Sequence, residues 1–234
     1  MRFILIIMLV MLSNYLVSSN VWLTLSFAVD MMAVLPLAIS AVGNPYLEQA
    51  MVGLMLGDGT LVKKYTGGGT YFKFAQGTIH YGYLLHVFNL FQEAGLVLMT
   101  APSMGTSVIN GVTYTWAQFT TVSLAAWNTL HSMWYVNGVK VIPMNIDLLL
   151  TPIAMAYWFM DDGGWTGPGI HINTNSFTQE DVLRLLNVLK NKYGLKCSIH
   201  SRNRIYIWAG STAQFIDIVR PYIHEDMAYK LSAK

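Results

Sequence analysis

The chain has 234 residues, 54% of them apolar and only 11% charged, with 14 Lys and Arg against 12 Asp and Glu. That length supports one large domain or two small ones, and the composition excludes a disordered or acidic-tail protein. A single cysteine, Cys197, excludes an intramolecular disulfide framework and any cysteine-built zinc cluster, and a net charge of +2 does not by itself mark a nucleic-acid binder.

Residues 3–29 carry no charged side chain, and Asp30 alone interrupts the run before Glu48. About 20 apolar residues suffice to span a bilayer, so a segment within 3–42 could cross or lie on a membrane. Arg2 followed by an apolar run also fits a secretory signal, and a leader fused to a soluble enzyme and later removed is the third reading. Residues 1–43 are therefore set apart as an apolar leader. Beyond residue 43 Gly, Thr, Asn and Tyr punctuate short runs. Residues 94–139 lack Asp, Glu, Lys and Arg, yet Pro102, Asn110 and Gly111 break them into turns and strands, too short for a spanning helix.

From there the chain repeats itself. Asn44-Pro45 and Thr151-Pro152 each offer an N-cap residue followed by proline at the first helical position. Each opens an apolar helix that ends in acid and glycine, Asp58-Gly59 in one and Asp161-Asp162-Gly163-Gly164 in the other. In the first half the pattern predicts a hairpin from strands 63–65 and 71–75, a helix over 80–94 closed by Gly95, strands over 96–100 and 113–120, and a helix over 124–136. In the second it predicts a strand over 169–173, a helix over 179–193 closed by Gly194, strands over 197–201 and 204–209, and a helix over 212–222. A lysine follows each last helix, Lys140 and Lys230. The reading is α+β: two αββαββα halves, 44–143 and 144–234, related by a pseudo-twofold axis.

The last carbonyls of a helix lack intrahelical donors and carry the negative end of its dipole. A carboxylate added there makes a set of hard oxygen donors suited to Mg²⁺. If the two helices pack about the pseudo-dyad, Asp58 and Asp162 meet at their tips, and like charges at close range are tolerable mainly with metal between them. Gly53 and Gly57, four residues apart, allow close approach; the second helix has Tyr157 and Asp161 at those places, which puts symmetric packing in question. Taken singly, each ending is what Asp and Gly do in ordinary turns. Two at equivalent points of a repeat argue for a shared metal site.

Positive charge is unevenly spread. Residues 187–211 hold Lys190, Lys192, Lys196, Arg202 and Arg204 with no acid, whereas residues 1–117 carry four basic and four acidic side chains. The first cluster, with His200, Asn203 and Tyr206, suits a nucleic-acid groove. In the first half Lys63, Lys64 and Lys73 flank a glycine turn, and Tyr71 and Gln76 alternate nearby. The six histidines show no metal-ligand spacing and read as structural or DNA-facing.

Met51-Val-Gly-Leu-Met-Leu-Gly-Asp58-Gly59 and Met155-Ala-Tyr-Trp-Phe-Met-Asp-Asp162-Gly163 resemble the two copies of the name motif of the single-chain LAGLIDADG homing endonucleases encoded in organellar introns. The resemblance covers about residues 44–234. It implies saddle-shaped antiparallel sheets on DNA, the motif helices at the interface, and a monomer that cuts both strands of a long asymmetric site to promote intron homing. It further implies Asp58 and Asp162 as catalytic metal ligands, backbone carbonyls of Gly57 and Asp161 facing the metal, and Lys140 and Lys230 in support. Mg²⁺, or Mn²⁺ in its place, is the implied cofactor, and a mitochondrion or other organelle the implied location. Two alternatives stand beside this: an RNA-binding intron maturase with weak or no cleavage, and a membrane-associated, non-enzymatic protein built on the leader.

Overall fold

The computed structural model describes residues 43–65 and 67–232. The leader of residues 1–42, with its signal-like, membrane-contacting and removed-leader readings, lies outside the described residues. Among those described, no helix is long and apolar enough to cross a membrane.

The first repeat runs α1 (Pro45–Leu56), β1 (Thr60–Lys63), β2 (Thr70–Gly77), α2 (Tyr81–Glu93), β3 (Ser103–Ile109), β4 (Val112–Thr120) and α3 (Trp127–Trp134). A short hairpin, β5 (Tyr135–Val136) with β6 (Val139–Lys140), and a single turn of helix, α4 (Ile146–Leu149), lead to the second. That repeat runs α5 (Pro152–Asp162), β7 (Gly163–Thr166), β8 (Gly169–Ile172), α6 (Gln179–Asn191), β9 (Cys197–His200), β10 (Arg204–Ile207) and α7 (Ala209–Val219). Two 3₁₀ segments, Arg220–Tyr222 and Glu225–Leu231, follow. The sheets have the same order, β1-β2-β4-β3 and β7-β8-β10-β9, and every pairing is antiparallel.

Both motif helices start where the sequence says. The Asn44 side chain accepts from the N–H groups of Tyr46 and Leu47, and that of Thr151 from the N–H of Ala154. Each such cap contributes about 1 kcal/mol. Alternation along the strands gives each sheet one buried and one open face. Phe72, Phe74 and Phe119 turn inward under α2, with Phe72 and Phe91 stacked at 4.8 Å, while Ile170, Ile172, Ile205 and Ile207 do the same under α6 and α7.

Several boundaries differ from expectation. The strand expected over 96–100 lies instead at Ser103–Ile109, because Leu96 and Val97 turn inward and the Leu96 N–H donates to the Phe91 carbonyl at 2.9 Å, closing α2. Asn110 and Gly111, both at positive φ, form the two-residue turn from β3 to β4, a conformation that favours Asn-Gly. The helix expected over 124–136 gives way at Tyr135 to the strand that carries the chain to Lys140. α7 begins at Ala209 rather than 212 and stops before Pro221, which starts no new α-turn but sits in a 3₁₀ segment. β7 is an added strand, hidden in the sequence by its two glycines.

Candidate active site at the tips of two packed helices

α1 and α5 pack along their length, and the glycines of α1 make this possible. A Cβ at Gly53 would lie 2.2 Å from the Ala154 carbonyl oxygen and 2.7 Å from the Tyr157 Cβ. One at Gly57 would lie 2.5 Å from the Asp161 carboxylate. The helices therefore meet as unlike surfaces. Two glycines on one side receive Tyr157 and Asp161 on the other, which resolves the mismatch noted in the sequence.

This packing brings the two acidic endings together. The Asp161 carboxylate accepts the Asp58 backbone N–H at 3.0 Å through one oxygen and the Tyr83 hydroxyl at 2.9 Å through the other. Burial, then the charge of Asp58, pushes the Asp161 carboxyl well above its usual range, against the pull of those two hydrogen bonds. Asp58 is exposed at the tip, and its Oδ2 accepts from Gln76 Nε2 at 2.6 Å. Asp162 is half-buried, and its carboxyl is pushed up to about 7 by burial and by Asp58, with Lys140 and Lys230 acting the other way.

Each lysine caps the end of one motif helix. Lys140 Nζ donates to the carbonyls of Gly57 at 3.1 Å and Gly59 at 2.7 Å. Lys230 Nζ donates to those of Phe159 at 3.4 Å, Met160, and Asp161 at 3.4 Å. Burial holds the Lys140 ammonium down to about 8, although Asp161, Asp162 and Asp58 all favour its charge. A carbonyl has two lone pairs, so Gly57 and Asp161 each keep one beyond the lysine contact. The Asp58 and Asp162 carboxylates and these carbonyl oxygens are hard donors of the kind that suits a divalent cation, although among the described residues no three or more Asp, Glu, His or Cys side chains are gathered closely enough to hold one by themselves.

The model of the LAGLIDADG DNA endonuclease family matches residues 48–215. The chain belongs to that family. Two cytochrome b mRNA maturases named bI2 are similar to it. That of Debaryomyces hansenii is 35% identical over 78% of this chain and 72% of its own length. That of Saccharomyces cerevisiae is 35% identical over 80% of this chain, which spans about half (48%) of that longer protein. Among solved structures, the homing endonuclease I-WcaI bound to its DNA recognition sequence is 27% identical, with a TM-score of 0.74 over 82% of this chain and 88% of that one.

Within this LAGLIDADG chain the expected DNA-facing residues divide between the open sheet faces and elsewhere. Tyr71 and Lys73 lie on the open face of the first sheet, and Lys64 sits with its ammonium 5.8 Å from the Tyr71 ring centre. His200, Arg204 and Tyr206 lie on the open face of the second, joined by His171, whose Nε2 is 3.3 Å from His200 Nδ1. Arg202 is exposed at the β9–β10 turn, at φ 60°. Lys196 immediately precedes β9.

Five of the expected residues lie elsewhere than on the open sheet faces. Lys63 has the strand phase of buried Leu61 and pairs with buried Thr70, so it stands on the face away from Tyr71 and Lys73. Gln76 shares the phase of Phe74 and reaches Asp58 rather than the open face. Lys190 is on α6, which covers the buried face of the second sheet, and Lys192 is its C-cap residue, with Nζ capping the α4 turn through the carbonyls of Asp147 at 2.7 Å and Leu150 at 3.0 Å. Asn203 is half-buried, its amide donating to the Phe177 carbonyl at 2.8 Å. Sequence reasoning gave no role to Tyr83, and only the fold reveals its contact with Asp161, since the two are far apart in the chain.

Proposed function

We propose that the chain is a site-specific, divalent-metal-dependent endonuclease that hydrolyses both strands of a long DNA target and promotes intron homing. The observation that carries this is the meeting of Asp58, Asp161 and Asp162 at two lysine-capped helix ends, at the seam between two sheets of the same order. The DNA held by the similar homing endonuclease supports the choice of substrate.

Asp58 and Asp162, with the carbonyls of Gly57 and Asp161, are the groups that would hold Mg²⁺ or Mn²⁺, which supplies an activated water and neutralises charge on the leaving oxygen. Gln76 fixes the rotation of the Asp58 carboxylate through its hydrogen bond. Asp161 does not itself face outward; it holds the Asp58 backbone in place. Lys140 and Lys230 keep the carbonyls oriented and add positive charge beside the phosphate, where charge develops in the transition state. Tyr71 and Lys73 of one sheet with Lys64 beside it, and His171, His200, Arg204 and Tyr206 of the other with Arg202 at its turn, present donors and rings to the duplex. The chain acts as a monomer, since both sites are built from one polypeptide. A mitochondrial or other organellar setting is supported by relatives named for the cytochrome b message.

The test is cleavage of a randomised duplex library in Mg²⁺. We expect one long site to be cut by the wild type and left intact by Asp58→Asn and Asp162→Asn, which still bind it. Full cleavage by either variant overturns the assignment. A second reading, an RNA-binding maturase, is favoured by the names of the two cytochrome b relatives. Stimulated splicing of the host intron, without DNA cleavage, would replace the first reading by the second.

A further inference from the structure

We infer that Asp226 is a positioning residue that reaches across the seam between the two repeats and fixes Lys230 at its helix end; this rests on the nuclease reading. α2 belongs to the first repeat and follows His80, whose side chain makes no capping hydrogen bond. The N–H of Tyr83, one of the first-turn donors that a helix cannot satisfy internally, donates instead to Asp226 Oδ2 at 3.0 Å. The carboxylate also meets the positive end of the α2 dipole. Its approach leaves no room for a side chain at position 82: a Cβ on Gly82 would lie 2.2 Å from Asp226 Oδ2. The fit therefore involves both repeats, glycine on one and carboxylate on the other.

Asp226 lies in the 3₁₀ segment Glu225–Leu231, four residues before Lys230. The same segment buries Met227, lays the Tyr229 ring parallel to His80 at 6.1 Å between centres, and offers the Lys230 carbonyl to Trp165 Nε1 at 2.8 Å. Tyr83, whose N–H takes the Asp226 carboxylate, sends its hydroxyl to Asp161. Loss of the Asp226 contact thus loosens the end of α5 by two routes. Lys140 is held differently, by strand pairing with Tyr135 inside its own repeat. Disturbing Asp226 should reach one of the two lysines and spare the other.

The experiment follows both strand cuts on a supercoiled plasmid carrying the site selected by the wild type, in Mg²⁺, for Asp226→Ala, Asp226→Asn and Gly82→Ala. We expect Asp226→Ala and Gly82→Ala to accumulate nicked circle, with one cut slowed roughly tenfold to a hundredfold, the range of rate lost when a catalytic group is displaced by about 1 Å. The other cut, and DNA affinity measured in Ca²⁺, should stay within about threefold of wild type. Asp226→Asn, which keeps an oxygen acceptor for the Tyr83 N–H, should restore near-normal cutting of both strands. Equal slowing of the two cuts, or an Asn variant as slow as the Ala, overturns the inference. Should Asp226→Ala fail to fold, Gly82→Ala carries the same expectation, because alanine is the better helix former. If the wild type leaves all DNA intact, the nuclease reading is what fails. Hydrogen exchange over residues 225–231 then decides: faster exchange in Asp226→Ala and Gly82→Ala supports the clasp, and unchanged exchange overturns it.

Discussion

Gly53 and Gly57 show how little tolerance the helix seam has. Neither could carry even a methyl group without displacing backbone or the Asp161 carboxylate. Gly53→Ala should destabilise the protein by about 2 kcal/mol, since overpacking outweighs the better helix propensity of alanine; thermal melts of wild type and variant check this, and an unchanged Tm would contradict it. Gln76→Ala should bind DNA normally and cut it roughly tenfold more slowly, because it frees the Asp58 carboxylate without touching the open sheet face; strand-resolved kinetics would show it. At this scale the two acidic helix ends were legible and their surroundings were not. The equivalent placement of Asp58 and Asp162 could be read from the repeat, whereas Lys140 and Lys230 took their expected role only from the family resemblance. The parts of Tyr83, Asp161 and Gln76 did not, because hydrogen-bonding partners more than 70 residues apart, as Tyr83 and Asp161 are, leave no local pattern.

The β3–β4 hairpin illustrates what an element reveals and conceals. Asn110-Gly111 was visible as a break, but the strand before it was placed too early, since Leu96 and Val97 look like strand residues and act as a lid on the end of α2. Gly111 sits at φ 79°, so Gly111→Val should cost about 1 kcal/mol through the left-handed conformation that the turn requires. Urea unfolding should show the shift in midpoint with little change in slope. The starts of the two motif helices were predicted correctly because caps are local chemistry, whereas α3 ends early where the chain turns into the β5–β6 pairing and α7 ends early before Pro221. The basic run of residues 187–211 does not form a single surface. Its members divide between a helix on one side of the sheet and strands open on the other.

At the scale of the whole molecule, the proposed metal site would couple charge to cation binding. The Asp162 carboxyl has its pKa raised to about 7 in the folded chain, so between about pH 4 and 7 the fold holds a proton that the unfolded chain has released. Its contribution therefore favours the metal-free fold at low pH, fades above about pH 4, and is gone by about pH 7. A cation needs the ionised form. Mg²⁺ should raise the Tm more at pH 8 than at pH 5.5, its affinity falling about tenfold per pH unit below 7; an equal rise at both would contradict this. With about five basic side chains beside the open faces, log affinity for DNA should fall against log salt with a slope near −4 to −5.

The unlike faces of α1 and α5 bear on how such a molecule can be taken apart and rebuilt. A seam that sets glycine against tyrosine works only between a donor and a receiver. Two copies of the second repeat would drive Tyr157 against Tyr157, and two copies of the first would leave the glycine grooves unfilled. Split into separate polypeptides, the repeats should therefore reassemble as a heterodimer and not as either homodimer.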